Sequence, residues 1–203
     1  MTDADLIAGW VAPGARVLDL GCGDGVLLRR LWQTRQAPGY GVEIDDAKVL
    51  QCLKNDVNVL QMDLEDGLAA FADRSFDYVI LSETLQAIHK QEPLLKEMLR
   101  VGREAIVSFP NFGYWRVRAQ LLLLGRMPRA TNLQYSWHET PNIHLCTIKD
   151  FVELAEEVGA VIERGMALDR AGWPFRTAAP LPVMNLFGAQ AIFLLKRGRD
   201  ANG

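Results

Sequence analysis

The stretch VLDLGCGDG at residues 17–25 constrains the fold of this chain more than any other. Residues 16–20 read as a buried strand. They run directly into Gly21, Gly23 and Gly25, and then into a helix from about Val26 on which Leu27, Leu28 and Leu31 share a face. A buried strand, a glycine turn and an amphipathic helix in that order form the first half of a βαβ unit. Such units build a mostly parallel sheet with helices on both faces. Glycines without Cβ also let the main chain come close to a ligand, and the helix start beyond them offers N–H groups and a partial positive charge.

The pattern continues along the chain. Strands are expected at Tyr40 to Glu43, Asn58 to Gln61, Phe76 to Leu81 and Ala105 to Phe109. The helices between them are expected near Ala47 to Lys54, with Val49, Leu50 and Leu53 as its apolar residues, and over Glu92 to Val101, with Leu94, Leu95, Met98 and Leu99 inward. From Tyr114 a helix ends in four leucines, Leu121 to Leu124. A lid or connecting stretch with Gly125, Pro128, Asn132, Pro141 and Asn142 then runs to Cys146. Thr147 and Asp150 have capping-box spacing for a helix that Gly159 would end. Strands at Ile162 to Leu168 and Ala189 to Leu195 finish the chain. The segment between them, with Pro174, Pro180, Pro182 and Gly188, reads as too broken for a helix. No repeat, linker or internal boundary interrupts the 203 residues, so a single domain is expected.

Charge narrows the partners. A formal net charge of −3 provides no basic stripe to displace counterions from phosphates, which excludes the usual nucleic-acid footprint. No apolar run approaches the roughly 20 residues of a membrane span. Asp3 and Asp5 stand where a signal peptide would carry basic residues, and Cys22, Cys52 and Cys146 have no CxxC spacing, so a reducing cytoplasm is expected. His138, His144 and Cys146 match no common zinc spacing, so no metal is expected. The chain also carries no GxSxG, HExxH or GxxxxGK[ST] motif.

The candidate binding residues fall at successive strand ends. Asp19 leaves the first strand ahead of Gly21, Cys22, Gly23, Asp24 and Gly25. Val26 stands where the third glycine of a dinucleotide GxGxxG loop belongs, and a carboxylate at Asp19 would oppose a pyrophosphate. Glu43 ends the second strand and is placed to accept both hydroxyls of a ribose. Asp63 follows the third strand and could accept from an adenine amino group, with Ile44, Met62 and Leu64 against the ring, although an aspartate after a strand is more often a turn or cap residue. The fourth strand would close the pocket at Ser82.

These segments resemble the sequential motifs of class I S-adenosylmethionine-dependent methyltransferases. The resemblance implies a Rossmann-like α/β fold with seven strands, mostly parallel, an antiparallel last strand beside the fifth, and helices on both faces. It also implies S-adenosylmethionine or S-adenosylhomocysteine as the bound cofactor. Further on, SFPNFGYWRVR at 108–118, GRMP at 125–128 and TPNIHLCTIKDF at 140–151 are similar to the MetW family of methionine biosynthesis proteins, over nearly the whole chain. That resemblance implies homoserine O-acyltransferase as a partner whose activity the family supports.

Two functions are therefore expected to compete: an accessory partner of the acyltransferase, and a methyltransferase acting on a small acceptor. A sulfonium is already an electrophile, so methyl transfer needs little more than alignment and removal of a proton. Asn111, Tyr114 and His144 are the candidates on the acceptor side, although a histidine just ahead of a helix often only fixes backbone. Tyr114, Trp115, Arg116, Arg118, Arg126 and Arg129, with Leu121 to Leu124, have the composition of an interface, unless the leucines pack on the sheet.

Overall fold

The computed structural model describes residues 3–128, 144–175 and 179–198. The strand that precedes the glycines is β1 (Val17–Leu20), buried at every position because it lies inside a sheet covered on both faces. Ahead of it stands a helix not drawn from the sequence, α1 (Asp3–Trp10), whose Leu6, Ile7 and Ala8 are buried. The chain then runs through α2 (Val26–Arg35), β2 (Gly39–Glu43), α3 (Asp46–Lys54), β3 (Val59–Gln61), β4 (Phe76–Ser82), α4 (Gln91–Val101), β5 (Gly102–Pro110), α5 (Trp115–Leu124), α6 (Ile148–Glu157), β6 (Ala160–Leu168), α7 (Leu181–Phe187) and β7 (Gln190–Arg197). α1 is tied to α2 by an ion pair between Arg30 and Asp5 and by a bond from Arg35 Nε to the carbonyl of Ala8.

The seven strands lie in the order β3-β2-β1-β4-β5-β7-β6. The first five are parallel, and β7 runs antiparallel between β5 and β6. This is the expected architecture, with the last strand beside the fifth. Strand order reverses between β1 and β4, so the connections leaving their carboxyl ends part and open a crevice at that edge.

Alternation along the strands builds two core layers. Leu18, Leu20, Val79, Leu81, Val107 and Phe109 face Leu94, Leu95 and Met98 of α4 and Phe151 of α6. Val17, Ile80, Ile106 and Ile192 face α1 and α2 on the other side. Phe109, Phe151 and Phe193 meet with ring centroids 4.7 to 6.1 Å apart, an aromatic cluster that holds β7 against β5 beneath α6. The capping box at Thr147 and Asp150 is formed on both sides, and Gly159 takes a positive φ just past α6.

Three local points are settled by the packing. Of the apolar residues on α3, Leu50 and Leu53 are 57% and 58% exposed, and Cys52 is the buried residue. β3 is a three-residue edge strand, so the sheet ends before it can cover that face of the helix. The stretch after Pro180 is helical after all, as α7. Pro182 sits in its first turn, where a missing N–H costs no intrahelical bond. Leu121 to Leu124 do not pack on the sheet but are exposed on α5. Among the described residues no helix is long and apolar enough to cross a membrane.

Candidate functional site

The glycine loop is held in place from below. Gly21 and Cys22 both donate their amides to the carbonyl of Val42 on β2, at 2.8 and 3.0 Å, and Gly25 donates to the carbonyl of Cys22. The amide of Gly23 donates to Glu43 Oε2 at 2.9 Å. Asp24 Oδ1 accepts from Val26 at the start of α2. The amides expected to face a ligand are thus largely engaged within the loop and with β2. Of the three glycines only Gly23 has open space where a Cβ would stand, so it is there that the main chain can be approached closely.

The path of the loop depends on missing side chains. Gly21 has φ +70°, and a Cβ there would stand 2.6 Å from Thr84 Oγ1, so only glycine lets the loop cross the end of β4. α3 supports the outer side. Cys52 Sγ donates to the carbonyl of Gly23 and Asn55 Nδ2 to that of Asp24. Cys22 turns its thiol inward, 3.7 Å from Cys52 Sγ and over Gly41, where any Cβ would collide with it. Burial pushes both thiols up, so neither is a nucleophile at neutral pH.

Asp19 and Glu43 form the acidic floor. Asp19 projects from β1 opposite Gly41 on one side and Ile80 on the other, is 2% exposed, and makes no hydrogen bond among the described residues. Burial first, and the nearby Glu43 second, push its carboxyl up to about 8. Glu43 is also buried but well supplied: Oε1 accepts from the amides of Ile44 and Asp45, at 2.9 and 3.0 Å, and Oε2 from Gly23. Glu43 is held by three main-chain donors, whereas the Asp19 carboxyl has none among the described residues.

The remaining expected residues reach the same edge. Ile44 follows β2 and is 59% exposed, open to a flat ring. Met62 joins the carbonyl of Glu43 through its amide and packs, like Leu64, against the core. Asp63 caps a short 3-10 turn over Leu64–Asp66, with Oδ1 accepting from Glu65. Ser82 ends β4 with its hydroxyl 3.1 Å from that of Ser108.

On the acceptor side the candidates differ. Asn111 is 2% exposed and fully engaged. Its Nδ2 donates to the carbonyls of Asn185 and Gly188, and its Oδ1 accepts from the amides of Gly113 and Ile148. It joins the ends of β5, α6 and α7, and no capacity is left for a proton transfer. Asn111→Ala is expected to destabilise the protein by about 3 kcal/mol, because buried main-chain groups lose partners. Denaturant unfolding would measure it. Tyr114 precedes α5 with its ring edge-on to Trp115. His144 is exposed, and its amide donates to the carbonyl of Gln86. His138 and Arg129 lie outside the described residues, as do Asn132, Pro141 and Asn142 of the expected connecting stretch.

The structure adds residues that the sequence did not single out. Gln190, at the start of β7, donates to Glu83 Oε1 at 2.9 Å and also to Asp3 of α1. Burial, then the charge of Glu83, pushes the Asp3 carboxyl up to about 6. Glu83 holds a positive φ of 52°, a strained position for a non-glycine residue, just beyond β4. Asp3 and Gln190 stand at opposite ends of the chain. The one signal for them was polarity in otherwise apolar elements.

A seven-stranded sheet of this order, with a glycine loop after its first strand and an acid closing its second, has the class I S-adenosylmethionine-dependent methyltransferase fold. Solved structures agree. A methyltransferase in complex with the Trm112 activator of Haloferax volcanii is 17% identical, with a TM-score of 0.71 over 98% of this chain and 90% of that one. An S-adenosylmethionine-dependent methyltransferase from Mesorhizobium loti is 16% identical, with a TM-score of 0.67 over 95% and 96%. The [4+2]-cyclase SpnF is also 16% identical, with a TM-score of 0.67 over 96% and 80%. At such identities the likeness shows the fold alone.

The family is narrower. The model for methionine biosynthesis protein MetW matches residues 1–195, and the chain belongs to that family. A curated relative, the bifunctional methionine biosynthesis protein MetXA/MetW of Rhodopirellula baltica, is 40% identical over 176 residues. The match covers 82% of this chain and only 28% of that protein, so the chain spans little more than a quarter of its relative's length.

Proposed function

We propose that this chain holds S-adenosylmethionine or S-adenosylhomocysteine at the carboxyl edge of β1 and β2 and acts with homoserine O-acyltransferase, as the accessory subunit that raises its activity. The observation that carries the partnership is the Rhodopirellula baltica relative, which joins MetXA and MetW in one protein. The family resemblance supplies the acyltransferase. The free thiols of Cys22, Cys52 and Cys146 fit a cytoplasmic setting.

The residues present fit the cofactor. Asp19 is a buried carboxyl without a hydrogen-bond donor among the described residues, and a ligand bearing ammonium and sulfonium charges would bring a positive group to it. Glu43, held in place by Gly23, Ile44 and Asp45, would take the ribose hydroxyls. Ile44, Met62 and Leu64 would flank the adenine, and the open oxygen of Asp63 would accept from its amino group. When bound, the cofactor would supply an electrophilic methyl group, whether or not the protein uses it.

Asn111, whose polar atoms are spent on main chain, is not free to meet an acceptor, which leaves Tyr114 and His144 as the acceptor-side candidates for methyl transfer. The cyclase among the fold's neighbours is a reminder that this fold hosts other chemistry. The deciding experiment is homoserine acylation by the cognate acyltransferase, measured with and without this chain and with and without S-adenosylmethionine. Faster acylation on adding the chain is expected. No change in any of the four conditions would overturn the accessory reading and leave a methyltransferase with a small-molecule acceptor. Release of S-adenosylhomocysteine in the presence of that acceptor would then be the measurement.

A further inference from the structure

α5 buries Val117 alone and leaves its carboxyl-terminal half exposed. Leu121, Leu122, Leu123 and Leu124 are 47%, 84%, 78% and 67% exposed, with Trp115 and Met127 also open. Successive helical residues point about 100° apart, so the four leucines surround the end of the helix rather than share one face, and their exposure makes that end an apolar knob of the kind that marks an interaction site. A helix of ten residues is also too short to be stable by its own hydrogen bonds.

The charges around the patch say what it fits. Residues 111–128 contain Arg116, Arg118 and Arg126 and no acid, on a chain whose net charge is −3. Arg116 is held 5.3 Å over the Trp115 ring and Arg118 donates to the carbonyl of Gly113, so two of the three are fixed along the helix start. A symmetric pairing of two copies through α5 would set these arginines against themselves across the two-fold axis. An apolar groove with a rim of carboxylates would meet both features, in the manner of a helix laid into a groove.

We infer that the carboxyl-terminal half of α5, with Leu121 to Leu124 exposed around it, Trp115 on the preceding turns and Arg116 and Arg126 at its margin, is the surface that docks into an acid-rimmed apolar groove on the acyltransferase. This rests on the accessory reading and specifies its surface. The fused relative argues for that occupant, because a partner carried on the same chain must have a face to meet. Position adds to the case. α5 follows directly from the carboxyl end of β5, on the sheet edge that carries the glycine loop, so the partner would sit beside the cofactor crevice.

The test uses the full chain and its cognate acyltransferase. Calorimetry is run on the wild type, on Leu122→Glu/Leu123→Glu, on Leu122→Met/Leu123→Met, and on Arg116→Glu/Arg126→Glu. The glutamate pair is expected to weaken association at least about tenfold, with unchanged melting temperature and unchanged S-adenosylhomocysteine affinity, and the methionine pair to retain it. Charge reversal is expected to weaken association most at low salt. Should the glutamate pair fail to fold, Leu122→Gln/Leu123→Gln replaces it. Equal binding by wild type and glutamate variant overturns the surface and leaves the accessory reading standing. No association of the wild type overturns the accessory reading itself. A wild-type dimer by light scattering that Leu122→Glu/Leu123→Glu converts to monomer assigns the patch to a second copy and overturns the inference.

Discussion

Glu43→Ala is expected to remove adenosyl-ligand binding almost completely. The carboxylate carries two loads at once. It receives the amides of Gly23, Ile44 and Asp45, which set the glycine loop and the start of α3 in place, and on the proposed reading it would also take two ribose hydroxyls. Charge-assisted bonds contribute about 1.5–3 kcal/mol each. Losing the two to the ligand corresponds to a weakening of at least about a hundredfold, before any cost of the loosened loop. Calorimetry with S-adenosylhomocysteine measures it. Unchanged affinity in this variant would remove the pocket from the proposal altogether.

The second large effect concerns pH. Asp19 has its carboxyl raised from 3.8 to about 8. Below pH 3.8 the folded and unfolded chains both carry the proton. As pH climbs from about 4 to about 8, the unfolded chain ionises while the folded one does not, so the folded state loses stability steadily across that range until the two agree again. The stability associated with this group is therefore present in acid and lost by about pH 8. Asp19→Asn keeps the shape and removes the charge. Its melting temperature is expected to lie above the wild type's at pH 8 and to converge with it near pH 4, read as the difference between the two profiles by calorimetry. Parallel profiles would mean that the folded protein tolerates an ionised Asp19.

The same group links ligand binding to protons. A cationic ligand beside Asp19 would favour the charged carboxylate, so wild-type affinity for S-adenosylmethionine should rise toward pH 8 and binding should release a proton. In Asp19→Asn both effects should disappear along with most of the affinity. The apo protein would gain stability from the substitution that costs it the ligand, the usual trade at a preformed charged site.

The gathering of these residues at one sheet edge was legible in the sequence because its parts are local. Asp19, the glycines, Glu43 and Asp63 each sit within a few residues of a strand end, and parallel βαβ units bring successive strand ends to one edge. The capping box at Thr147 and Asp150 was legible for the same reason, its two partners being three residues apart. Arg100, by contrast, holds the carbonyls of Leu68 and Phe71 some thirty residues away, and no local pattern announces that.

The succession of strands and helices along the chain, the strand-end carboxylates and the glycine turn were determined by the sequence itself, because periodicity and close backbone approach are properties of short segments, and the sheet topology and family followed from the resemblance of those motifs. Long-range packing decided the rest. Asn111 is tied to partners 37 to 77 residues distant, which turns a polar candidate into a clamp. Gln190 bridges Asp3 and Glu83 only because β7 enters beside β5, and the aromatic cluster of Phe109, Phe151 and Phe193 holds it there. Leucines at 50, 53 and 121–124 look alike as sequence to those of α4. They are left exposed where the sheet ends or the helix projects beyond it, because burial requires a surface opposite and only the tertiary structure says where one exists.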